Sequence, residues 1–462
     1  MEETISIAIL AAGLGTRMRS KKAKVLHQAG GLALVEHVVE ASLKLARPEH
    51  VAVVVGHQAE QVTELLQGRG VRFATQTEQK GTGHALACCR QTLAAGGLLI
   101  VAYGDCPLLR AETLQKLVAS HRKQQSACTV ITTVLDDPSG YGRILKNAAG
   151  DVTGIVEQKA ATPEQLQVRE INSGIYCFDA ELLWRHLGDV TPNAASGELY
   201  LTDMVEILVA KGYRVTAYPI EDPSELLGIN TRVELAVADR LLRERTVQEH
   251  MLAGVTIEKP ETVTIDSGVA IGQDTIIQAF AQIRGKSVIG EDCLIGAASI
   301  LTNATIENGA VVEAFSVVAD SRMRKGAKLG PFGRLRMQAD VHAGAVVGNF
   351  VELKKTELGA GSKAQHLAYL GDSVIGEDVN IGAGTITCNY DGMKKHPTHI
   401  RARSFVGSNS TLVAPVEIGE GSYIAAGSVI TTSVPDDTLA VGRARQVDKH
   451  GWPSKRRGKP QS

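Results

Sequence analysis

The sequence is poor in aromatic residues, in net charge and in long apolar runs. Only 4% of its 462 residues are Phe, Trp or Tyr, so small aliphatic side chains must fill much of its core. The formal net charge of −1 provides no global field that would recruit nucleic acid or an anionic membrane. No apolar run approaches the ~20 residues of a membrane-spanning helix. The remaining composition, 44% hydrophobic and 21% charged, is typical of a soluble globular protein.

The sequence shows neither paired cysteines nor the pattern of a signal peptide. The seven cysteines are scattered without the spacing of a disulfide framework, which indicates reduced thiols and a cytoplasmic protein. The N-terminus leads directly into an apolar, strand-like run at Ile5–Leu10, which leaves no room for a signal peptide. The length of the chain predicts two or three domains.

The second half of the sequence carries an aliphatic residue at every sixth position. Successive members of one phase are Ile265, Ile271, Ile277, Ile283, Ile289, Ile295 and Leu301. The pattern slips by one residue at Ile306, returns at Val341, and is interrupted at about 354–374 and 388–405. A period of six fits neither a helix nor a lone strand. It is typical of a solenoid in which three short strands close a coil of roughly 18 residues.

Residues 1–230 alternate between strand-like and helix-like patterns. Predicted strands lie at Ile5–Leu10, Val51–Val55, 98–101 and Cys128–Val134, and predicted helices lie at 32–44, 59–66, 83–93 and 111–120. This alternation predicts a mainly parallel sheet covered by helices, with a site at the carboxyl ends of the strands. Residues 231–252 form one amphipathic pattern without Gly or Pro, which predicts a linker helix. The repeats and a basic tail then occupy 253–462.

A glycine-rich turn follows the first predicted strand. Gly13-Leu14-Gly15 can expose backbone N–H groups to a phosphate, although it has neither the dinucleotide spacing nor the Walker spacing. Taken alone, the turn is equally consistent with an ordinary connection. Arg17 and Lys24 follow on the same loop and favour a triphosphate ligand.

Three segments of the first half resemble sugar-1-phosphate nucleotidyltransferases. They are AAGLGTRM at 11–18 with KVLH at 24–27, QTEQKGTGHA at 76–85, and YGDCPL at 103–108. With the repeats, which resemble the hexapeptide-repeat family, nearly the whole chain is similar to the bacterial bifunctional N-acetylglucosamine-1-phosphate uridyltransferases/glucosamine-1-phosphate acetyltransferases. The resemblance implies an α/β fold, with an N-terminal Rossmann-like nucleotidyltransferase domain and a C-terminal left-handed parallel β-helix. The crossover rule alone would favour a right-handed coil.

In the nucleotidyltransferase half, the resemblance assigns a role to each matching residue. Arg17 and Lys24 would neutralise phosphates in catalysis, and Asp105 with Asn230 would bind Mg²⁺. The residues implied in holding UTP and the sugar nucleotide are Leu10, Ala11, Ala12, Gly13, Lys24, Gln76, Gly81, Thr82, Tyr103, Gly104, Asp105, Gly142, Glu157, Asn172 and Asn230. The family commonly has proline before the lysine, where this chain has Ala23, and this difference predicts a less rigid loop.

In the repeat half, the matching segments are GNFVE at 348–352, HLAYLGD at 366–372, NIGAGTITCNYDG at 380–392 and IAAGS at 424–428. His366 would be the general base, because an imidazole with a pKa of about 6.5 suits removal of a proton from an amine. The residues implied in holding glucosamine 1-phosphate and acetyl-CoA are Arg336, Lys354, Tyr369, Asn380, Ala383, Asn389, Tyr390, Ser408, Ala426 and Arg443. Met337 replaces a proline that is common in the family.

The resemblance implies two activities that together make UDP-N-acetylglucosamine for peptidoglycan and lipopolysaccharide synthesis. Acetyl-CoA and UTP would be co-substrates and Mg²⁺ the cofactor. Uridylyl transfer needs positioning and charge neutralisation rather than a covalent intermediate. The implied enzyme is a cytoplasmic homotrimer that acts on small molecules, without nucleic acid and without a membrane span.

Two other interpretations remain open at this level. The chain could be a nucleotidyltransferase whose β-helix serves only assembly or regulation, although His366, Lys354 and Tyr369 speak against this. It could also be a non-catalytic scaffold, which would give Asp105 and Arg17 no reason to occur together. A zinc site at the histidines of 396–399 lacks a third ligand at suitable spacing.

Overall fold

A computed structural model describes residues 3–194 and 196–457 of the chain. The chain divides into two units, Met1–Arg243 and Glu244–Ser462, and the boundary falls within a single long helix. None of the helices among the described residues is both long enough and apolar enough to cross a membrane.

The first unit is built from strands and helices that alternate along the chain. Its strands are β1 (Ile5–Leu10), β2 (Gln28–Ala29), β3 (Leu32–Ala33), β4 (Val51–Val55), β5 (Arg72–Thr75), β6 (Leu98–Tyr103), β7 (Cys128–Val134), β8 (Arg143–Lys146), β9 (Val152–Val156), β10 (Glu170–Asp179) and β11 (Val215–Pro219). Its helices are α1 (Leu34–Leu43), α2 (Ala59–Leu66), α3 (Thr82–Ala87), α4 (Ala111–Gln124), α5 (Pro163–Leu166), α6 (Ala180–His186), α7 (Asp203–Ala210) and α8 (Arg232–Leu252), the last of which runs into the second unit.

The main sheet has the strand order β11-β7-β10-β6-β1-β4-β5, with β8 and β9 attached beside β10. Strands β6, β1, β4 and β5 are parallel, as predicted, and helices cover the sheet so that Ile7, Ala8 and Ile9 are fully buried. Strand β10 runs antiparallel to both β6 and β7, so the sheet is mixed. Strand direction does not alter an apolar pattern, which is why the sequence did not reveal this reversal.

Helix α3 is shorter than the prediction of a helix over 83–93. It ends at Ala87 and turns follow. The side chains of Cys89 and Leu93 are nevertheless buried, and the N–H of Leu93 bonds the carbonyl of Cys89 at 3.1 Å. The turn therefore buries residues four positions apart, as a helix would, and this spacing produced the helical pattern in the sequence.

The second unit is a coil of short parallel strands in three stacked sheets, here called faces. The first face contains Thr256–Ile257, Ile276–Ile277, Leu294–Ile295, Val311–Val312, Lys328–Leu329, Val346–Asn349, Lys363–His366, Asn380–Ile381, Phe405–Val406, Tyr423–Ile424 and Leu439–Ala440. The second face contains Thr264–Ile265, Gln282–Arg284, Ile300–Thr302, Val317–Ala319, Arg334–Arg336, Glu352–Lys354, Tyr369–Gly371, Ile386–Cys388, Thr411–Val413 and Val429–Ile430. The third face contains Ala270–Ile271, Val288–Ile289, Thr305–Ile306, Arg322–Met323, Asp340–Val341, Glu357–Leu358, Ser373–Ile375, Thr398–Ile400 and Val416–Ile418. A short exposed helix, α9 (Trp452–Arg457), follows the coil.

The aliphatic ladder forms the interior of this coil. Ile283, Leu301 and Val318 are fully buried and lie in register on the second face. The register advances by 18 residues from Ile283 to Leu301 and by 17 from Leu301 to Val318. One face of that coil is a residue shorter, which explains the slip in the sequence pattern at Ile306.

The predicted interruption at 354–374 is wrong. Leu358, Ala364 and Leu370 are fully buried and continue the ladder through this stretch. Five-residue steps displaced them from the six-residue phase, so the pattern resembled an insertion. His366 accordingly ends a strand of the first face instead of lying in an expelled loop.

The second predicted interruption corresponds to an extruded loop. Residues 389–397 leave the coil between Ile386–Cys388 and Thr398–Ile400 and are closed by a bridge between Tyr390 and Lys395. The register from Thr387 to Leu412 therefore advances by 25 residues. The coil resumes its stacking above the loop.

Candidate functional sites

The loop after β1 folds back so that Lys24 faces the strand ends. Gly15 has φ 61°, and a Cβ on it would lie 2.6 Å from the Cβ of Lys24. Glycine is required there by both the left-handed backbone and the close approach. Lys24 itself opens a short 3₁₀ turn, Lys24–Leu26.

A cavity of about 390 Å³ lies at the carboxyl ends of β1 and β6, where the strand pattern placed it. Among the residues predicted from the sequence, it is lined by Leu10, Ala11, Ala12, Gly13, Lys24, Gln76, Gly81, Thr82, Tyr103 and Asp105. Gly104 packs against the loop after β1, because a Cβ on Gly104 would lie 3.0 Å from the Cβ of Ala11.

The charged groups at this cavity converge on one point. The Lys24 ammonium donates to the Asp105 carboxylate and, at 3.2 Å, to Oδ1 of Asn230. The Arg17 guanidinium donates to the same Oδ1 at 2.8 Å. The N–H of Ile229 bonds the carbonyl of Asp105 at 2.9 Å and holds the following asparagine beside the carboxylate. Arg17 and Asn230 thus belong to the site without lining the cavity.

This arrangement fits a hard divalent cation. The Asp105 carboxylate and the Asn230 amide oxygen both face a single cationic group, as two metal ligands would. No cluster of three or more His, Cys, Asp or Glu side chains suited to a metal occurs in the described part of the chain. A carboxylate and an amide suffice for Mg²⁺ when phosphate oxygens and waters complete the shell.

At one side of the cavity, the side chain of Gln76 is held in a fixed orientation. Gln76 is 4% exposed, its amide donates to the carbonyl of Gly81 at 3.1 Å, and it lies 3.1 Å from Nδ1 of His84. Gly81 has φ 96°, and a Cβ there would lie 2.5 Å from the carbonyl oxygen of Leu199. The wall on this side is therefore tightly packed and polar.

A second predicted group lies beyond Tyr103. The N–H of Asn172 donates to the carbonyl of Gly142 at 2.9 Å, and a Cβ on Gly142 would lie 3.4 Å from Oε1 of Glu157. Burial, aided by the charge of Asp203, raises the pKa of Glu157 above its usual value. These three residues are brought together, but they do not line the cavity.

In the second unit, cationic side chains gather at the corner that follows the second face. Arg336 and Lys354 lie in register on adjacent strands, and the extruded loop brings Lys395 beside Lys354. Arg336 donates to Glu352 at 2.6 Å, and the Lys354 ammonium bonds Asp372 at 2.5 Å. Three cations around two paired carboxylates form a positive site suited to a phosphate.

The Lys354–Asp372 pair is nearly buried, with 4% and 12% of the two side chains exposed. Burial acts to raise the pKa of Asp372, but contacts with Lys354 and Asn389 hold that pKa below its usual value. Burial acts to lower the pKa of Lys354, but the Asp372 carboxylate holds it above the usual value. Contact with Lys354 lowers the pKa of Lys395. Both members of the pair are therefore charged at neutral pH.

The polar ends of the Tyr369 and Asn389 side chains both lie beside Gly371, which is on the same strand as Tyr369. A Cβ on Gly371 would lie 2.5 Å from the Tyr369 hydroxyl and 2.7 Å from Nδ2 of Asn389. The missing side chain gives both polar groups room at the corner. Tyr390 behaves differently, because it is 60% exposed and its hydroxyl donates to the carbonyl of Gly392 at 2.6 Å, within the loop.

His366 lies at the other end of the second-face strands, at the corner that ends the first face. Its Nδ1 lies 3.0 Å from Oδ1 of Asn349, which is its register partner. Ala364, Ile381, Val406 and Ile424 are in register two positions earlier. His366, Ala383, Ser408 and Ala426 are thus equivalent corner residues of successive coils, called here the corner column.

The two remaining predicted residues lie beside this column, on different coils. Asn380 is on the first face, in register with Phe405 and one strand above Lys363. The Arg443 side chain passes Gly427, whose Cβ position lies 4.0 Å from its Cδ. The structure therefore groups the predicted acetyl-CoA residues along one corner and the predicted sugar-phosphate cations along another.

Comparison with known families and proteins agrees with both halves of the chain. A model described as a MobA-like NTP transferase domain matches residues 7–154. The bacterial transferase hexapeptide model matches 397–432, and the hexapeptide repeat of succinyl-transferase matches 287–318. The bifunctional protein GlmU of Solibacter usitatus is 56% identical over 99% of this chain and 98% of its own length. Those of Koribacter versatilis and Pelobacter propionicus are 50% and 47% identical, over 98% and 97% of this chain and 97% and 98% of their own lengths.

The chain belongs to the GlmU family.

Membership of the GlmU family confirms the function and fold that the sequence resemblance implied. The chain is a bifunctional transferase, a UDP-N-acetylglucosamine pyrophosphorylase and a glucosamine-1-phosphate N-acetyltransferase. Its coil is the left-handed parallel β-helix of hexapeptide repeats. The interpretations as a monofunctional nucleotidyltransferase and as a scaffold are thereby overturned.

Several residues at the sites of this GlmU-family chain were not predicted from the sequence. Glu198 and Tyr200 line the first cavity from an irregular segment whose pattern carried no signal. Gln79 also lines it and donates to the carbonyl of Ala12 at 3.4 Å. Lys395 joins the cations of the second site only because its loop is extruded, although the interruption at 388–405 marked that loop.

The loop before Lys24 is held by a side chain from outside the loop. The N–H of Ala23 donates to Oε1 of Gln58 at 2.7 Å, and Nε2 of Gln58 donates to the carbonyl of Lys21 at 2.6 Å. A distant side chain thus spans the loop at two points. The expectation of a less rigid loop stays a prediction, and local sequence gave no sign of this contact.

Proposed function

We propose that the cavity of the first unit is the site of uridylyl transfer, with N-acetylglucosamine 1-phosphate and UTP as substrates. The convergence of Arg17, Lys24, Asp105 and Asn230 beside the cavity carries this proposal. Gln76, Gly81 and Thr82 would hold the uracil, and residues Leu10 to Gly13 the rest of the nucleotide. Gly142, Glu157 and Asn172 would receive the sugar beside Tyr103.

The reaction at this site requires alignment and charge neutralisation. A phosphate oxygen of the sugar phosphate attacks the α-phosphorus of UTP, and the bond to the leaving pyrophosphate breaks. Arg17 and Lys24 offset the negative charge that would otherwise separate the two anions. Lys24 exchanges its contact with Asp105 for phosphate oxygens when the substrates bind.

Asp105 and Asn230 would hold Mg²⁺, which when bound neutralises phosphate charge and orients the triphosphate. Their oxygens already face a common cation, and the Lys24 ammonium takes that position in this structure. Asp105 supplies the negative charge and Asn230 the neutral oxygen.

Acetyl transfer occurs, in this proposal, on the coil. Arg336, Lys354 and Lys395 hold the phosphate of glucosamine 1-phosphate, and Ala383, Ser408, Ala426 and Arg443 contact acetyl-CoA. His366 takes the proton from the sugar amine, whose nitrogen attacks the thioester carbonyl; collapse of the tetrahedral intermediate then expels the CoA thiolate. Asn380, Tyr369 and Asn389 would orient the sugar, and the Asn389 amide would also donate to the oxyanion.

The assembly is proposed to be a homotrimer in the cytoplasm. His366 and the cation cluster lie at opposite ends of the second-face strands, so a neighbouring coil would complete each site. Free thiols at all seven cysteines suit a reducing compartment. Sedimentation should show a trimer, and a monomer with full acetyl-transfer activity would refute the shared site.

A crystal soaked with acetyl-CoA, UDP-N-acetylglucosamine and Mg²⁺ tests the residue assignments together. The nucleotide should occupy the first cavity, with Asp105 and Asn230 as the protein ligands of the metal. The pantetheine arm should run along the corner column towards His366. A nucleotide bound elsewhere, or a CoA that avoids this column, would disprove the corresponding half.

A further inference from the structure

Gln58 adopts a costly backbone conformation in the turn between β4 and α2. It has φ 55° and ψ 40°, in the left-handed region, and immediately precedes Ala59 at the start of α2. A residue with a Cβ is strained there, whereas glycine is not. Such strain persists where the residue has a role that offsets it.

The side chain of Gln58 spans the loop that leads to Lys24. Its Oε1 accepts the N–H of Ala23 at 2.7 Å, while its Nε2 donates to the carbonyl of Lys21 at 2.6 Å. Ala23 is 2% exposed, so without Gln58 its N–H would lose its partner in a buried position. One amide thus ties both ends of a three-residue segment to the turn after β4.

The tied segment determines the backbone position of Lys24. The carbonyl of Ala23 accepts the N–H of Leu26 at 3.0 Å and so opens the 3₁₀ turn that carries Lys24. Gly15 packs against the Cβ of Lys24 from the other side. The lysine side chain reaches Asp105 and Asn230 from this fixed base.

We propose that Gln58 is a positioning residue for uridylyl transfer, which holds the Lys21–Ala23 segment so that the Lys24 ammonium meets the triphosphate. The inference rests on the proposed phosphate role of Lys24. Gln58 itself does not line the cavity, so its effect on the reaction would pass through the lysine.

The first test replaces Gln58 with glycine, which relieves the backbone strain and removes the side-chain tether. Gln125→Gly is the matched control, because Gln125 has φ 51° and caps α4 away from the cavity. In Gln58→Gly the relieved backbone strain offsets only part of the loss of the Ala23 N–H partner, so its unfolding temperature should fall by no more than a few degrees, and that of Gln125→Gly should not fall. Gln58→Gly should lower kcat for uridylyl transfer by about tenfold to a hundredfold, while Gln125→Gly should leave it unchanged. Acetyl transfer should be native in both.

The second test asks whether another constraint on the loop can replace the tether. Ala23 has φ −56° and ψ 142°, which suits proline, and proline would fix the backbone while removing the N–H that Gln58 accepts. Ala23→Pro in the Gln58→Gly background should restore uridylyl transfer to within about threefold of native. A purely structural role for Gln58 would instead lower acetyl transfer as well in Gln58→Gly, so the rescue is read together with native acetyl transfer in both variants.

Native kcat in Gln58→Gly would overturn the inference, as would equal losses of both activities with a lowered unfolding temperature. Failure of Ala23→Pro to rescue a folded Gln58→Gly enzyme would also overturn it. Lys24→Ala separates the two levels of the proposal. If Lys24→Ala is inactive while Gln58→Gly is native, only the tether is wrong; if Lys24→Ala is active, the proposed role of the lysine fails.

Discussion

The two units position their reactive groups in different ways. In the first, Arg17, Lys24, Asp105 and Asn230 come from loops far apart in sequence and meet at one edge of the sheet. In the second, the place of a residue within a repeating face determines the corner at which it lies. The first site therefore depends on how its loops are held, and the second depends on the stacking of the coil.

The charged groups of the two sites are also held in different ways. The buried pair of Lys354 and Asp372 keeps its charges through direct contact, and the stacked strands fix both partners. At the first site the Lys24 ammonium is the common donor to Asp105 and Asn230, and in the proposed reaction it would leave them for the phosphates. The comparison suggests that tether variants affect the first site more strongly, and that substitutions of the reactive side chain itself dominate at the second.

The largest effect is expected for His366→Ala. Loss of a positioned general base should lower acetyl transfer about 10²–10⁴-fold, measured as thiol release from acetyl-CoA. Pyrophosphate release in the uridylyl reaction should stay native, because that reaction belongs to the other unit. His399→Ala, an exposed histidine of the third face, is the control and should retain both activities.

The pH dependence sharpens this prediction. The folded pKa of Asp372 is lowered, so its ion pair contributes stability above the usual carboxyl pKa of about 4 and loses it only as pH falls through the lowered value. Asp372 therefore cannot cause an acid limb of the acetyl-transfer rate between about pH 6 and 7. An unchanged acid limb in His366→Ala would show that another group is the base.

Asp105→Asn should have the next largest effect. The site loses the negative charge that would hold the metal, and uridylyl transfer should fall about 10²–10³-fold. Excess Mg²⁺ should recover part of the loss if the defect is metal affinity. Acetyl transfer should remain native, and equal losses of both activities in a folded enzyme would contradict the separation of the two sites.

Lys395→Met should raise the KM for glucosamine 1-phosphate about tenfold with little change in kcat, because it removes a charged contact present throughout the reaction. The neighbouring lysine of the loop gives the control, since Lys394→Met should leave the KM unchanged. A loss of kcat alone would place Lys395 in the chemical step instead of in phosphate binding.

The smallest effect is expected for Tyr390→Phe. Its hydroxyl bonds the loop carbonyl of Gly392 and is largely exposed, so removing it should change acetyl transfer by less than about threefold. Tyr369→Phe, at the hydroxyl that meets Asn389 over Gly371, should cost more. A large effect of Tyr390→Phe would show that the loop closes over the substrate.

The sequence predicted much of this architecture because both units repeat simple patterns. Strands such as Ile5–Leu10 and the helix Ala59–Leu66 have the predicted bounds, since an apolar period directly reflects burial. The direction of β10 and the continuity of the coil through Leu358 and Ala364 were missed, because a period reports neither strand direction nor a shortened face. The Gln58 contact was missed because it joins segments with no shared pattern. The predicted domain bounds and residue roles remain predictions.

The corner column also has a metric consequence. Successive coils are separated by the spacing of adjacent strands, so the three steps from His366 to Ala426 span about 14 Å. The column therefore places one equivalent residue at each coil, at intervals of about 4.8 Å. If CoA lies along it, the length of the pantetheine arm is matched to a number of coils. An enzyme that gained one coil between these positions would fit a carrier arm longer by about 5 Å.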